Sequence, residues 1–201
     1  EDAGNTWDQV LFKTDSTAAI DIAINTQNPD ILFATTWERS RKPWQRSYAG
    51  VTSGVHRTLD GGDTWIELGA AQGLPAPSTQ TGRISIAISE SDPATIYARY
   101  TTNPITNVFN GLYKSTDNGD NWTLVTLNEI SFIDATFGWF FGNIRIHPTD
   151  PEQVFVLGQV FYRTSNSGSN WSEVNGMHVD HHAMAISLSL IHISEPTRRT
   201  P

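Results

Sequence analysis

Short runs of alternating apolar and polar residues recur along the chain. Ile20-Asp-Ile-Ala-Ile24 and Ile84-Ser-Ile-Ala-Ile88 share one pattern, and Ile144-Arg-Ile146 is a shorter version of it. Alternation with period 2 predicts half-buried strands rather than helices. Five residues after the last isoleucine of each run stands a proline, Pro29, Pro93 and Pro151, preceded by Asn28, Asp92 and Asp150. An Asx-Pro pair favours a turn. An aliphatic–aromatic pair follows each time: Leu32-Phe33, Ile96-Tyr97 and Val154-Phe155. A third run then appears as Gly54-Val-His-Arg57, Gly111-Leu-Tyr-Lys114 and Val160-Phe-Tyr-Arg163, and a fourth as Trp65-Ile-Glu-Leu68, Trp122-Thr-Leu-Val125 and Trp171-Ser-Glu-Val174. Each unit therefore predicts four short strands joined by turns, with no convincing helix.

Between the third and fourth runs lies one repeated stretch. Thr58-Leu-Asp-Gly-Gly-Asp-Thr-Trp65 returns as Ser115-Thr-Asp-Asn-Gly-Asp-Asn-Trp122 and as Thr164-Ser-Asn-Ser-Gly-Ser-Asn-Trp171, and Asp2-Ala-Gly-Asn-Thr-Trp7 is the end of a fourth copy. The tryptophans at 7, 65, 122 and 171 mark a blade-sized period. Four-stranded units of that period stack radially, so the expected fold class is all-β, a partial β-propeller. A calcium loop needs a carboxylate at its twelfth position. Counting from Asp60 and Asp117, those positions hold Ala71 and Asn128. A phosphate-binding glycine loop must open a helix, and here a strand follows. The hairpin reading remains: Asp60 and Asp117 accept turn amides, Gly62, Gly119 and Gly168 supply positive φ, and Trp65, Trp122 and Trp171 cover the turns.

These boxes resemble Asp-boxes, the hairpins of bacterial neuraminidase repeats, with Asn166 in place of the aspartate in the third. Trp37-Glu-Arg39, Pro43-Trp44, Gly82-Arg-Ile84, Gly138-Trp-Phe-Phe-Gly142 and His178-Val-Asp-His-His-Ala183 narrow the match. Together they are similar to the sortilin-type propeller proteins of bacteria, often labelled glycosyl hydrolases. Xyloglucanases and sialidases are more distant members of the repeat class. The resemblance runs from Asp2 to about Ile186. It implies a secreted or cell-surface recognition domain for a polypeptide or a glycan, or else a glycoside hydrolase on the same scaffold.

Composition changes the picture at a few points. The 201 residues carry a net charge of −8, which argues against a nucleic-acid partner. There is no cysteine, so disulfides and thiolate metal sites are excluded. No apolar run reaches the ~18 residues of a membrane span. Nothing calls for a cofactor. Asn121-Trp-Thr123 and Asn170-Trp-Ser172 match glycosylation sequons, but the repeat explains them better. Glu1 is no natural initiator, so a processed chain or fragment is expected, with further blades of a parent protein as partners. The expected boundaries are an incomplete propeller over 1–186 and a tail over 187–201. That tail resembles translated sequencing adapter and is read as non-native or disordered.

Strand alternation places the Asx-Pro turns and the boxes on one face and the 2–3 and 4–1 loops on the other. Binding residues collect on irregular loops held by a rigid scaffold. The longest is Thr35–Ser53, carrying Trp37, Glu38, Arg39, Trp44 and Tyr48. It either presents aromatic and guanidinium groups to sugars or carboxylates, or packs on its own blade. Phe137-Gly-Trp-Phe-Phe141, with Trp139, either lines the axis as core or reaches a ligand. His178, Asp180 and His182 enter the last strand-1 pattern near the axial mouth, for acid–base work, ligand hydrogen bonding or structural pairing. Alternate strand residues stand about 7 Å apart, too far to share one zinc without a bend. No metal is therefore expected. A nucleophile elbow is missing, and Arg83 and Arg145 sit in different registers, so no arginine triad assembles. A glycosidase needs two facing carboxyls. Glu38, Asp134 and Asp180 are on the right face, without a defined pair. Asp180, His182 and Glu38 are the catalytic candidates if there is turnover.

Overall fold

The computed structural model describes residues 3–102 and 109–187. The tail expected over 187–201 lies, after Ser187, outside the described residues. Strands β1 (Thr17–Ile24) and β2 (Leu32–Glu38) are followed by a small hairpin of β3 (Ser40–Lys42) and β4 (Gln45–Ser47). Next come β5 (Gly54–Thr58) and β6 (Ile66–Leu68), then a short 3₁₀ turn at Ala70–Gln72. The second unit is β7 (Thr81–Ile88), β8 (Ile96–Thr102), β9 (Phe109–Ser115) and β10 (Thr123–Thr126). The third is β11 (Asn143–His147), β12 (Asp150–Leu157), β13 (Phe161–Thr164) and β14 (Ser172–Glu173). Each unit is one four-stranded antiparallel sheet in sequence order, β1-β2-β5-β6, β7-β8-β9-β10 and β11-β12-β13-β14.

The inner strands pack side by side, β7 against β1 and β2, and β11 against β7 and β8. One core fills the space between the first two sheets, with Phe33, Val55, Leu68, Ile84, Ile86 and Trp122. A second joins Leu112, Ile130, Ile133, Ile144 and Val154 between the second and third. Alternation explains this: residues one apart on a strand face opposite sheets.

Two expectations are corrected. Asp150-Pro151 does not form a turn but opens β12, with His147 paired to Asp150. The register irregularity between Ile146 and His147 frees Pro151 from a ladder bond that it could not donate. His182–Ile186 keeps the alternating pattern but forms no strand. Among the described residues it pairs with no second strand, and a single strand cannot satisfy its own backbone.

The boxes are self-contained hydrogen-bonded turns. In the first, the Thr58 hydroxyl donates to Asp60 (2.6 Å) and accepts the Gly62 amide (2.9 Å). Asp60 also accepts the Thr64 amide (2.9 Å) and hydroxyl (2.5 Å). Ser115, Asp117, Gly119 and Asn121 repeat this arrangement. In the third, Asn166 still accepts from the Thr164 hydroxyl and the Asn170 amide, so one oxygen carries the substitution. The indoles of Trp65 and Trp122 donate to the carbonyls of Gly62 and Gly119, both at 3.0 Å. Trp122 also reaches out of its own sheet, edge-on to Phe33 at 6.4 Å. The box therefore closes its hairpin and wedges the preceding sheet.

These hydrogen bonds, led by the Thr58 hydroxyl, hold the Asp60 carboxyl down at about 2, against an ordinary 3.8. A depressed folded pKa means a contribution that is full above the unfolded pKa and lost as pH falls through the folded one. The hairpin should therefore weaken between about pH 4 and pH 2. Acid unfolding followed by circular dichroism should show a shallower pH dependence in Asp60→Asn than in the parent over that window.

Candidate functional site

The turns sort onto two faces. The first two boxes bond the 1–2 turns of their own sheets, Gly61 N–H to Asp30 O and Asn118 N–H to Ala94 O, and the third bonds the start of β12, Ser167 N–H to Glu152 O. On the opposite face the 2–3 and 4–1 loops bond one another: Gly50 N–H to Thr81 O (3.0 Å), Val160 N–H to Ile133 O (2.9 Å), and His181 N–H to Gly158 O (2.8 Å). Every loop candidate from the sequence lies on this second face.

Within the Thr35–Ser53 segment the candidates divide. Trp37 is on β2, 5% exposed, and its indole donates to Tyr48 O at 2.7 Å. It anchors the loop. Glu38 accepts the Thr52 amide (3.1 Å) and hydroxyl (2.8 Å), tying the loop's return to its start. Trp44 sits at the two-residue turn of the β3–β4 hairpin and is 80% exposed. The Arg39 guanidinium lies over the Trp37 ring, 4.9 Å from its centre, and over the Tyr48 ring at 5.9 Å.

Tyr48 then leads across to the third sheet. Its ring stacks on Trp139 at 4.8 Å with a 27° interplanar angle. Trp139 leans on Phe140 at 5.4 Å, and Phe140 meets His182 at 4.8 Å. His182 also packs on Phe141 at 4.8 Å, and Asn143 donates to its carbonyl. The fold thus joins Arg39, Tyr48, Trp139 and His182 in one continuous band. His178 and Asp180 are exposed beyond it; His178 Nδ1 contacts Val179 O, and Asp180 has φ +76°. That left-handed residue breaks the extended run on which the two histidines would share a side. Among the described residues, no three His, Asp or Glu side chains converge on a metal position.

Sequence reasoning missed Asp21 and Arg99 beneath this band and left Arg83 and Asp134 without partners. Arg83 follows Gly82 at a register irregularity in β7, between Thr81 and Ile84. A side chain on Gly82 would collide with Thr101 Oγ1 (2.8 Å) and backbone carbonyls at 3.0 Å, so only glycine permits this close approach. Bulges re-aim side chains, and here Arg83 Nη1 donates to Phe140 O at 3.0 Å. Arg99, on β8, is fully buried; it donates to Leu157 O (3.1 Å) and pairs with Asp134. The visible signal was an arginine inside the apolar run Ile96-Tyr-Ala-Arg-Tyr100, which demands a buried partner. A second irregularity, between Ala19 and Asp21, turns Asp21 toward the inner edge of β7, where it accepts the Ile86 amide at 3.1 Å. Burial raises the Asp21 pKa above its ordinary value, while the amides of Ile86 and Ile22, and after them the charges of Arg145 and Arg83, oppose the rise. Burial, and then the charge of Arg99, lower that of Arg83.

Solved structures share this architecture. A GH74 xyloglucanase from Xanthomonas campestris matches with a TM-score of 0.57 at 18% identity, over 83% of this chain and 23% of its own. YCF48 from Cyanidioschyzon merolae matches at 0.56 and 18%, over 83% and 42%. An ancestral GH74 enzyme gives 0.56 and 18%, over 79% and 20%. The chain is part of a β-propeller. It spans between 20% and 42% of the length of these neighbours. At such identities the likeness establishes the fold alone. No protein-family model and no curated protein matches the sequence.

In the propeller, β1, β7 and β11 are the inner strands, and the band from Arg39 to His182 joins the rim loop of the first sheet to the segments that precede and follow the third. No helix is long and apolar enough to cross a membrane, among the described residues. Trp37 and Glu38 are spent on holding the rim loop, and Asp134 on Arg99. Trp44 and Arg39 are left facing outward, with a groove of about 320 Å³ beside Arg39, lined by Asp15–Ile20 and Trp37.

Proposed function

We propose that this propeller is a recognition domain that binds a polypeptide or a glycan through its loop face. The observation that carries the reading is the band Arg39–Tyr48–Trp139–Phe140–His182, which draws separate rim loops into one surface. The opposite face is taken up by hairpins whose Thr or Ser, Asp or Asn and glycine groups bond one another, the Trp171 indole nitrogen alone lacking the partner its counterparts have. Solved neighbours of the same fold include enzymes of the GH74 family and YCF48 bound to a D1 peptide, so the scaffold serves both kinds of ligand in other proteins. The box sequences support kinship with Asp-box, sortilin-type propellers, and with it an extracytoplasmic location. On this reading Trp44, Arg39, Tyr48, Trp139 and His182 contact ligand, His178 and Asp180 border it, and Trp37 acts by fixing Tyr48.

Peptide and glycan arrays test the proposal. Trp44→Ala should weaken binding by roughly 1–3 kcal/mol, the range for an aromatic hot spot, with unchanged melting. Retained affinity in Trp44→Ala and His182→Ala, with loss in an Asp117 variant that still folds, would reverse the assignment of faces.

The hydrolytic reading rests on Asp21, a partly buried carboxyl with a raised pKa, the condition for a general acid. It needs a second carboxyl about 5–10 Å away, and Glu38 and Asp134 both have structural partners. Release of reducing sugar from xyloglucan, abolished in Asp21→Asn, would favour this reading over pure binding.

A further inference from the structure

We propose that the outward face of the third sheet is a receptor for one more box turn, and that the turn it takes is Ala3–Trp7 of a second copy of this chain. Neighbouring sheets are already joined in this way twice. In the first sheet, Phe33 on β2 stands opposite Arg57 on β5. Arg57 Nη1 donates to Asn118 O (2.6 Å) and to the Asp120 carboxylate (2.7 Å) of the second box, and Phe33 receives Trp122 and Gly119. In the second sheet, Tyr97 stands opposite Lys114, and Lys114 Nζ donates to Ser167 Oγ of the third box at 3.0 Å. Asn118 and Ser167 hold the fourth place in their boxes. An aromatic on the second strand and a cation on the third thus grip the box of the following sheet.

The third sheet carries the same pair in the same register, Phe155 opposite Arg163. Arg163 is exposed and makes no ion pair among the described residues. A groove of about 290 Å³ runs beside it, lined also by Gln153, Asn170 and Ser172. The inner part of this face is covered as in the other sheets: Met184 and Ile186 pack on Phe155, Leu157 and Phe161. His182–Ile186 thus takes the place that Ile84 and Ile86 of β7 have on the first sheet. The receptor lacks only a box.

A box turn without a receptor stands at the other end of the row. Ala3 and Gly4 have φ +59° and +85°, against +57° and +84° at Asn118 and Gly119. The Trp7 indole donates to Gly4 O at 3.0 Å, as that of Trp122 does to Gly119 O. The turn is therefore preformed, which lowers the cost of docking it. Yet Trp7 is 88% exposed where Trp122 is 4%, and a Cβ on Gly4 would meet only Trp7, at 3.5 Å. Val10 and Phe12, just beyond, are exposed as well. Aromatic side chains are the preferred anchors of interfaces.

Lys13 pairs with Glu67 at 2.6 Å and ties this segment to the first sheet. The inner strands pack in the order β1, β7, β11, so turn and receptor lie at opposite ends and meet only between copies. The Thr58–Trp65 box cannot be the occupant, because its sheet would bring β1 into the place held by His182–Ile186. The Ala3–Trp7 turn carries no inner strand and leaves that place undisturbed. On docking, Arg163 donates to Ala3 O as Arg57 does to Asn118 O, and Trp7 covers Phe155. Such an interface is head-to-tail, so copies form a ring or a growing row.

The test is sedimentation velocity of the whole chain over a range of concentrations, with Trp7→Ala and Arg163→Glu. Both side chains are exposed, and circular dichroism should show the same fold in both variants. The parent should grow in mass with concentration, and each variant alone should stay monomeric. Trp7→Ala keeps the receptor and Arg163→Glu keeps the turn, so an equimolar mixture should give a complex of two chains that grows no further. A parent that stays monomeric would overturn the proposal. So would variants that associate as the parent does, or a mixture that remains monomeric. None of these outcomes touches the loop face, so the recognition reading stands or falls separately on its own arrays.

Discussion

Gly119→Ala should destabilise the chain by about 2–4 kcal/mol, combining strain of a positive φ with overpacking. Gly119 has φ +84°, and a Cβ there would stand 2.7 Å and 2.9 Å from two ring carbons of Phe33 in the preceding blade. Phe33 is itself fully buried and edge-on to Trp122, so it has nowhere to retreat. Gly62 occupies the same place in the first box, at φ +106°, but a Cβ there would meet only Trp65 at 3.9 Å. Gly62→Ala should therefore cost only about 1 kcal/mol. Urea unfolding of the two variants measures the difference. Equal losses would mean that the boxes close hairpins without wedging blades together.

The second large effect is expected at Asp134. Arg99 and Asp134 are both fully buried and paired with each other. Removing one partner leaves an uncompensated charge in the core, at a cost of about 3–5 kcal/mol. Asp134→Ala should lose that much in chemical denaturation, and Arg99→Met combined with Asp134→Leu should recover a large part of it. If the double variant were as unstable as the single one, the pair would be needed for packing rather than for charge balance.

Repetition made much of this fold legible. A pattern that returns in register fixes strand order, turn positions and the face on which each loop lies. That logic carried the three sheets and placed every loop candidate on one side. It could not say which neighbour a box tryptophan would touch, because a period gives spacing along the chain and not contact between units. The β3–β4 hairpin was hidden because its turn is Pro43-Trp44, without the glycine or asparagine that usually marks a two-residue turn. Trp37 looked like a rim platform, yet β2 extends through Glu38 and buries it. Glu38 looked available for chemistry, yet two bonds from Thr52 hold it. The arginines were misjudged for a different reason. Strict alternation put Arg83 and Arg145 out of register, but irregularities at Gly82 and at Ile20 shift the phase and bring Arg83 and Asp21 into one charged cluster. A strand bulge leaves almost no mark in a hydrophobic pattern, so this part of the site required coordinates.

On the proposed reading, ligand is bound on the loop face and the box face is structural. Hydroxyl-radical footprinting of the whole chain, with and without a ligand found on the arrays, tests it most directly, since aromatic side chains on both faces report. Protection should appear at Trp44, Tyr48, Trp139 and Phe140, with Trp65 and Trp171 unchanged. Protection of Trp65 and Trp171 with the loop-face aromatics unaltered would contradict the account.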